Sequence, residues 1–376
     1  MTEKEAALLL AGARGIGPRA AEALRSRFGS FRRAVERASS DPGVPARFRR
    51  AISERGTCLA DEMRELAGYG IRFVERGAEE YPEALDETYG PPVGLFVEGT
   101  IPRRGLAVAI VGSRRGSERA LSVARTLGRD LATRRVTVVS GLARGVDSAA
   151  HRGALEGGGT TVAVLGSGLR RVYPPENREL ARSIAATGCV LSEFSPRVEA
   201  RPSSFPRRNR VIAGLSAAVV VVEAGEKSGA LITASYALEE GREVLACPGP
   251  VGGALCRGSN RLIREGARLV ESAADILEDL EPIWGPELLQ AEDAASGDRA
   301  ATTVSSCASE ALGALSLEPV DAERVAEETG RPIGVVLAAL MELELAGEAR
   351  RTAGGGFVVS DAVARRRGIG TARGGR

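Results

Sequence analysis

Histidine is almost missing from this chain: His151 is the only one among 376 residues. That excludes a His-rich metal site and leaves little material for acid–base catalysis near neutral pH. Cysteine is scarce and odd in number. Cys58, Cys189, Cys247, Cys256 and Cys307 include no CxxC pair, which argues against a zinc ribbon or a disulfide framework and fits reduced thiols in a cytoplasmic protein. No apolar run approaches the ~20 residues of a membrane span. The start, MTEKEAALLLAGARG, has no basic segment ahead of its five-residue apolar run, so no secretory signal is expected. Lysine is rare as well. Of the 51 basic residues 49 are Arg, a bias that GC-rich coding would also produce, so the preference for Arg carries no chemistry by itself.

What is present describes a folded chain. A hydrophobic content of 43% with 27% charged residues supports a core, and the length calls for two or three domains. The net charge of +2 hides strong segregation. Residues 12–55 hold eleven Arg against four acids, residues 275–298 hold eight acids and no base, and residues 361–376 hold five Arg and one Asp. Such blocks are either solvated faces or, where basic, contacts for a polyanion.

Apolar spacing predicts helices throughout residues 1–68. Beyond residue 69, short β-branched runs alternate with helical patterns. Strands are expected at Leu106–Val111, Val136–Val139, Thr161–Leu165, Val190–Leu191, Ala217–Val222 and Glu243–Ala246, and helices at Ser117–Thr133, Asp147–Glu156, Pro175–Thr187, Asn209–Leu215 and Ala230–Glu239. That alternation predicts an α/β fold, a doubly wound parallel sheet with helices on both faces, over residues 69–285. An acidic linker is expected over 286–302. Three helical patterns and a hairpin at Ala349–Ser360 outline a winged helix over 303–360, followed by a basic, disordered tail over 361–376.

Ligands of open parallel sheets bind beyond the carboxyl ends of the strands, and each such end here carries a small-residue turn. Gly112-Ser113-Arg114-Arg115 precedes Ser117, an N-cap candidate. Ser140-Gly141 opens a turn through Arg144 to Asp147, and Gly166-Ser167-Gly168 forms a third. Backbone N–H groups at such turns and helix starts favour an anion, and Arg114 and Arg144 would add charge-assisted bonds to phosphate oxygens. The first turn is not GxGxxG and no GKS or GKT follows a Gly-rich loop, so dinucleotide and P-loop sites are excluded. Between Arg197 and Gly214 lie five Arg, one Glu and Phe205. Cations around a ring suit a single strand: Arg201, Arg207, Arg208 and Arg210 for phosphates, Phe205 for a base, with Asn209 among them. The same pattern also fits a solvated basic loop whose Phe lies in the core. Lys227 offers a further cation at the next strand end. His151 sits one helical turn from Asp147, the spacing of a helix-stabilising hydrogen bond or a packing role rather than of catalysis.

The motifs GSRRGSERAL, VVSGLARGVDSAAHRGAL, VAVLGSGLRRVYPPENREL, LSEFSP, FPRRNRVIAGLSAAVVVVEA, KSGALITASYALEEGREVLACPG and GSNRLIREGARLV together resemble the DprA (Smf) family of DNA-processing proteins, from about Tyr81 to Ile276. The resemblance implies an extended Rossmann-like fold that binds single-stranded DNA, is not an enzyme and uses no cofactor or metal. It also implies a homodimer that protects incoming strands and loads a RecA-type recombinase in natural transformation. DNA contacts are expected at the GSR turn and from Arg201 to Arg210, with Phe205 near a base. One departure is that Arg201-Pro202-Ser203-Ser204 stands where some members place a Lys before that Phe. Residues 1–68, with Gly15-Ile16-Gly17, are similar to a helix-hairpin-helix or SAM-like domain, which would hold duplex phosphate or a protein.

A rival reading is a nucleotide phosphoribohydrolase on the same Rossmann variant, whose PGGxGTxxE motif is replaced here by Glu223-Ala-Gly-Glu-Lys-Ser-Gly-Ala-Leu-Ile232. Another is a nucleotide-sensing transcription regulator. The expected recognition helix, Arg331–Leu345, opens with one Arg and closes on Glu342 and Glu344, which favours a protein contact over base reading.

Overall fold

The computed structural model describes residues 1–284 except 39 and 103–104, and residues 306–360 except 317, 346–347 and 353–355. The expected acidic linker and basic tail lie outside these residues. The chain divides into two compact units, Met1–Glu292 and Asp293–Arg376.

The first unit is built on a nine-stranded sheet. Its strands are β1 (Arg72–Glu75), β2 (Gly94–Gly99), β3 (Ala107–Val111), β4 (Thr137–Ser140), β5 (Thr161–Val164), β6 (Cys189–Ser192), β7 (Ala218–Val221), β8 (Glu243–Ala246) and β9 (Arg268–Leu269). Their order is β1-β2-β6-β5-β4-β3-β7-β8-β9. From β6 to β9 every pairing is parallel, whereas β1–β2 and β2–β6 are antiparallel. The parallel doubly wound core matches the expectation, while β1, β2 and β9 extend the sheet beyond it. Strand order reverses between β3 and β7, so the switch point lies at their carboxyl ends.

Alternation along β3 shows why helices cover both faces. Val108 and Ile110 pack with α7 (Glu118–Thr133), α8 (Val146–Glu156) and α13 (Ala273–Trp284). Ala109 and Val111 pack with α10 (Ser204–Gly214), α11 (Gly229–Glu239) and α12 (Arg257–Arg264). Helix α7 lies so close to α8 that a Cβ at Gly153 would stand 1.9 Å from the Arg125 carbonyl oxygen. α9 (Arg178–Thr187) is preceded by a 3₁₀ turn, Pro175–Asn177, where the sequence pattern suggested one helix.

Residues 1–68 are helical as expected: α1 (Glu3–Gly12), α2 (Pro18–Phe28), α3 (Phe31–Ala38), α4 (Ala46–Gly56) and α5 (Leu59–Gly68), and a one-turn α6 (Glu83–Asp86) follows β1. Gly15, at φ 83°, turns the chain between α1 and α2, and Pro18 opens α2 where a missing N–H costs nothing. These helices share one apolar cluster with Phe73, Phe96, Ala163 and Val190 of the sheet. The second unit holds helices Ser306–Ala314, Ala322–Thr329 and Ile333–Leu345 and an antiparallel pair, Ala349–Arg351 with Phe357–Val359. Their core is Ala308, Ala311, Val325, Val336, Leu340, Leu343 and Phe357. Three helices and a wing match the expected outline.

Candidate nucleic-acid interface

Beyond the ends of β3 and β7, the turns after both strands, the loop before α10 and the starts of α10 and α11 surround a cleft of about 910 Å³. Gly112, Ser113, Arg114, Arg115, Arg201, Phe205, Arg208, Asn209 and Lys227 all line it. The GSRR turn is held from behind by Glu223, at the end of β7. The Glu223 backbone oxygen accepts the Ser113 N–H at 2.7 Å, and its carboxylate accepts the Ser117 N–H at 3.0 Å and the Ser117 hydroxyl at 2.7 Å. Ser117 caps α7 as expected, accepting the Ala120 N–H. Gly145 is needed here: it sits at φ 75°, and a Cβ would come within 2.3 Å of the Ser113 carbonyl oxygen.

The basic segment folds differently from the expectation of a loop leading into a helix at Asn209. Helix α10 begins at Ser204, because Pro206 falls in the first turn, where a helix tolerates it. The helix then fans its side chains apart. Phe205 faces the cleft, with the Arg114 guanidinium 4.6 Å from its ring centroid. Arg208 points down and is 4% exposed. It lies 3.9 Å from the Asp147 carboxylate and fills the space above Gly141, where a Cβ would stand 1.2 Å from its Nη1. Burial pulls the Arg208 pKa down to about 10 against the opposing pull of Asp147, and burial likewise raises that of Asp147. Arg207 and Arg210 turn to Glu193 instead. Arg207 lies over the Phe194 ring at 4.8 Å, and Arg210 bonds both the Glu193 carboxylate and, at 2.7 Å, the Gly90 carbonyl. Of three arginines close in sequence, Arg208 thus enters the cleft floor, whereas Arg207 and Arg210 share Glu193 and lie outside the cleft lining.

The second turn supplies floor rather than rim. Ser140 is fully buried and donates to the Ile110 carbonyl at 2.6 Å, and Gly141 is buried beneath Arg208. Leu142 is held at φ 55° with its side chain in the core, a left-handed conformation costly for a non-glycine residue and typical of functional turns. Arg144 is exposed and ion-paired with Glu176. The expected Asp147–His151 bond does not form. His151 is fully buried and its Nδ1 lies 2.7 Å from Thr161 Oγ1. That hydroxyl donates to the Val138 carbonyl, so Nδ1 carries the proton given to Thr161. Burial drives the His151 pKa down to about 3. The histidine is a packing residue, the other half of the expectation.

Among the described residues, the cleft lining holds five cations, Arg114, Arg115, Arg201, Arg208 and Lys227, and one acid, the buried Asp147. Arg114, Arg115, Arg201 and Lys227 form no ion pair with any described residue. Sequence reasoning missed two contributors, Glu223 and Tyr173. Tyr173 lines the cleft with its ring 5.8 Å from that of Phe205; its signal was an aromatic five residues after the third glycine turn, in YPPEN.

This arrangement defines a Rossmann-like protein with a cationic, ring-containing cleft at its switch point, joined to a winged-helix unit. Residues 72–281 match the family described as DNA recombination-mediator protein A, and residues 295–355 match its DprA winged helix domain. The chain belongs to this family, whose role is DNA processing and recombination mediation. Protein Smf of Escherichia coli is 41% identical over 287 residues, covering 75% of this chain and 76% of that protein. DNA processing protein DprA of Streptococcus pneumoniae is 44% identical over 202 residues, covering 54% and 71%. Its X-ray structure is similar, with TM-score 0.63 at 33% identity over 74% of this chain and 98% of that one. So is DNA processing protein A of Helicobacter pylori, described for its single-stranded DNA binding mode, with TM-score 0.50 at 29% identity over 56% and 95%. The phosphoribohydrolase alternative is not favoured by these relatives. No helix among the described residues is long and apolar enough to cross a membrane.

Proposed function

We propose that the cleft binds single-stranded DNA, gripping phosphates with Arg114, Arg115, Arg201 and Lys227 and presenting Phe205 toward a base. One observation carries this reading: an exposed arginine lies 4.6 Å over a ring in a trough whose only described carboxylate is buried. Phosphate neutralisation supplies sequence-independent affinity, and rings favour bases that are unpaired. The chain acts as a mediator without chemistry of its own. It works in the cytoplasm as a homodimer, protecting the strand and handing it to a RecA-type recombinase. The test is a gel shift of the full chain on single- and double-stranded oligonucleotides of equal length. Single strands are expected to bind more tightly, with little dependence on sequence. Equal or stronger binding of the duplex would contradict the proposal.

A further inference from the structure

Phe205 is only half open. Gly166 packs so closely that a Cβ there would lie 2.9 Å from Phe205 Cδ1, and Arg114 covers the ring at 4.6 Å. The neighbouring Tyr173 is freer, with 42% of its surface exposed. Its loop is pinned in place from below: the buried Asn177 side chain donates to the Leu142 carbonyl and to the Ser148 hydroxyl, each at 2.8 Å. That ties Tyr173 to the turn carrying Arg144. The Arg144 guanidinium is held above its ordinary pKa, first by Glu176 and least by the Tyr173 hydroxyl beside it. Arg144 and Glu176 are 55% and 48% exposed, and an ion pair so open to water contributes little, so a phosphate can replace Glu176.

We infer that Tyr173 and Arg144 form a second nucleotide subsite, where the ring stacks an unpaired base and Arg144 takes the adjoining phosphate in exchange for Glu176. The inference rests on the reading of the cleft above and extends its track from Arg114 and Phe205 across Tyr173 toward α8. The geometry also states what kind of strand fits. The two ring centroids are 5.8 Å apart and the planes are tilted by 50°, whereas stacked neighbouring bases lie parallel at ~3.4 Å per step. Bases resting on these two rings are therefore splayed apart. A duplex reaches that arrangement only by opening.

The test compares oligo-dT with a base-free deoxyribose-phosphate oligomer of the same length, both bound to the full chain. Tyr173→Ala is expected to weaken oligo-dT binding roughly tenfold and to leave the base-free oligomer unaffected. Tyr173→Phe should recover most of that loss. Arg144→Ala should weaken both oligomers and lower the salt slope by about 0.7. If Tyr173→Ala weakens both oligomers equally, or neither, while Arg114→Ala weakens both, the subsite is wrong and the cleft stands. If Arg114→Ala is also without effect, the cleft reading itself fails.

Discussion

The rim and the floor of the cleft use the same residue types to opposite ends. On the rim, Arg114, Arg115, Arg201 and Lys227 face solvent without a carboxylate partner among the described residues. On the floor, Arg208 is buried against Asp147 and plugs the space above Gly141, and outside the lining Arg210 is tied to Glu193 and Gly90. An arginine whose donors are already met by protein acceptors holds the fold. One whose donors meet only water is available to a phosphate. The count of basic residues in a segment therefore says less about binding than the partners each has found.

Breaking the floor should have the largest effect. Arg208→Ala leaves the buried Asp147 without its counter-charge, so unfolding stability should fall by roughly 3 kcal/mol, measured by urea denaturation. A loss below about 1 kcal/mol would place Arg208 with the rim instead. His151, buried one turn beyond Asp147 on α8, gives the core a pH signature. Its folded pKa of about 3 lies below the unfolded value near 6.5, so between those values the unfolded chain binds more protons. Its contribution is present above pH 6.5 and is lost as pH falls toward 3, by up to about 1.4 kcal/mol per pH unit. His151→Gln should flatten that part of the stability profile; an unchanged profile would remove the histidine from the account. The smallest effect belongs to the second unit. Its helix Ile333–Leu345 exposes Ile333, Leu337 and Met341, an apolar stripe where a groove-reading helix would carry donors. Leu337→Lys should leave oligo-dT affinity unchanged within twofold, and a gain would mean that this helix meets DNA.

The strands of the parallel core were legible because buried parallel strands read as uninterrupted β-branched runs, as in Ala218–Val221. The edge strands were not: Arg72–Glu75 and Gly94–Gly99 mix charge and glycine with apolar residues. At the site, the glycine turns announced themselves through residues needed for close approach, such as Gly145. The fates of Arg207, Arg208 and Arg210 did not, because they depend on a helix starting at Ser204 and on acids 14 to 61 residues away in sequence, Glu193 and Asp147. Tyr173 escaped for the same reason, since its role comes from Phe205 and Arg144 on other elements.

The central claim, that rim cations bind phosphate, is tested most directly by the salt dependence of oligo-dT binding by the Arg114→Ala/Arg115→Ala double variant. Each lost phosphate contact lowers the slope of log K against log salt by about 0.7, so a drop of about 1.4 is predicted, with thermal stability unchanged. A slope equal to that of the unaltered chain would contradict the account.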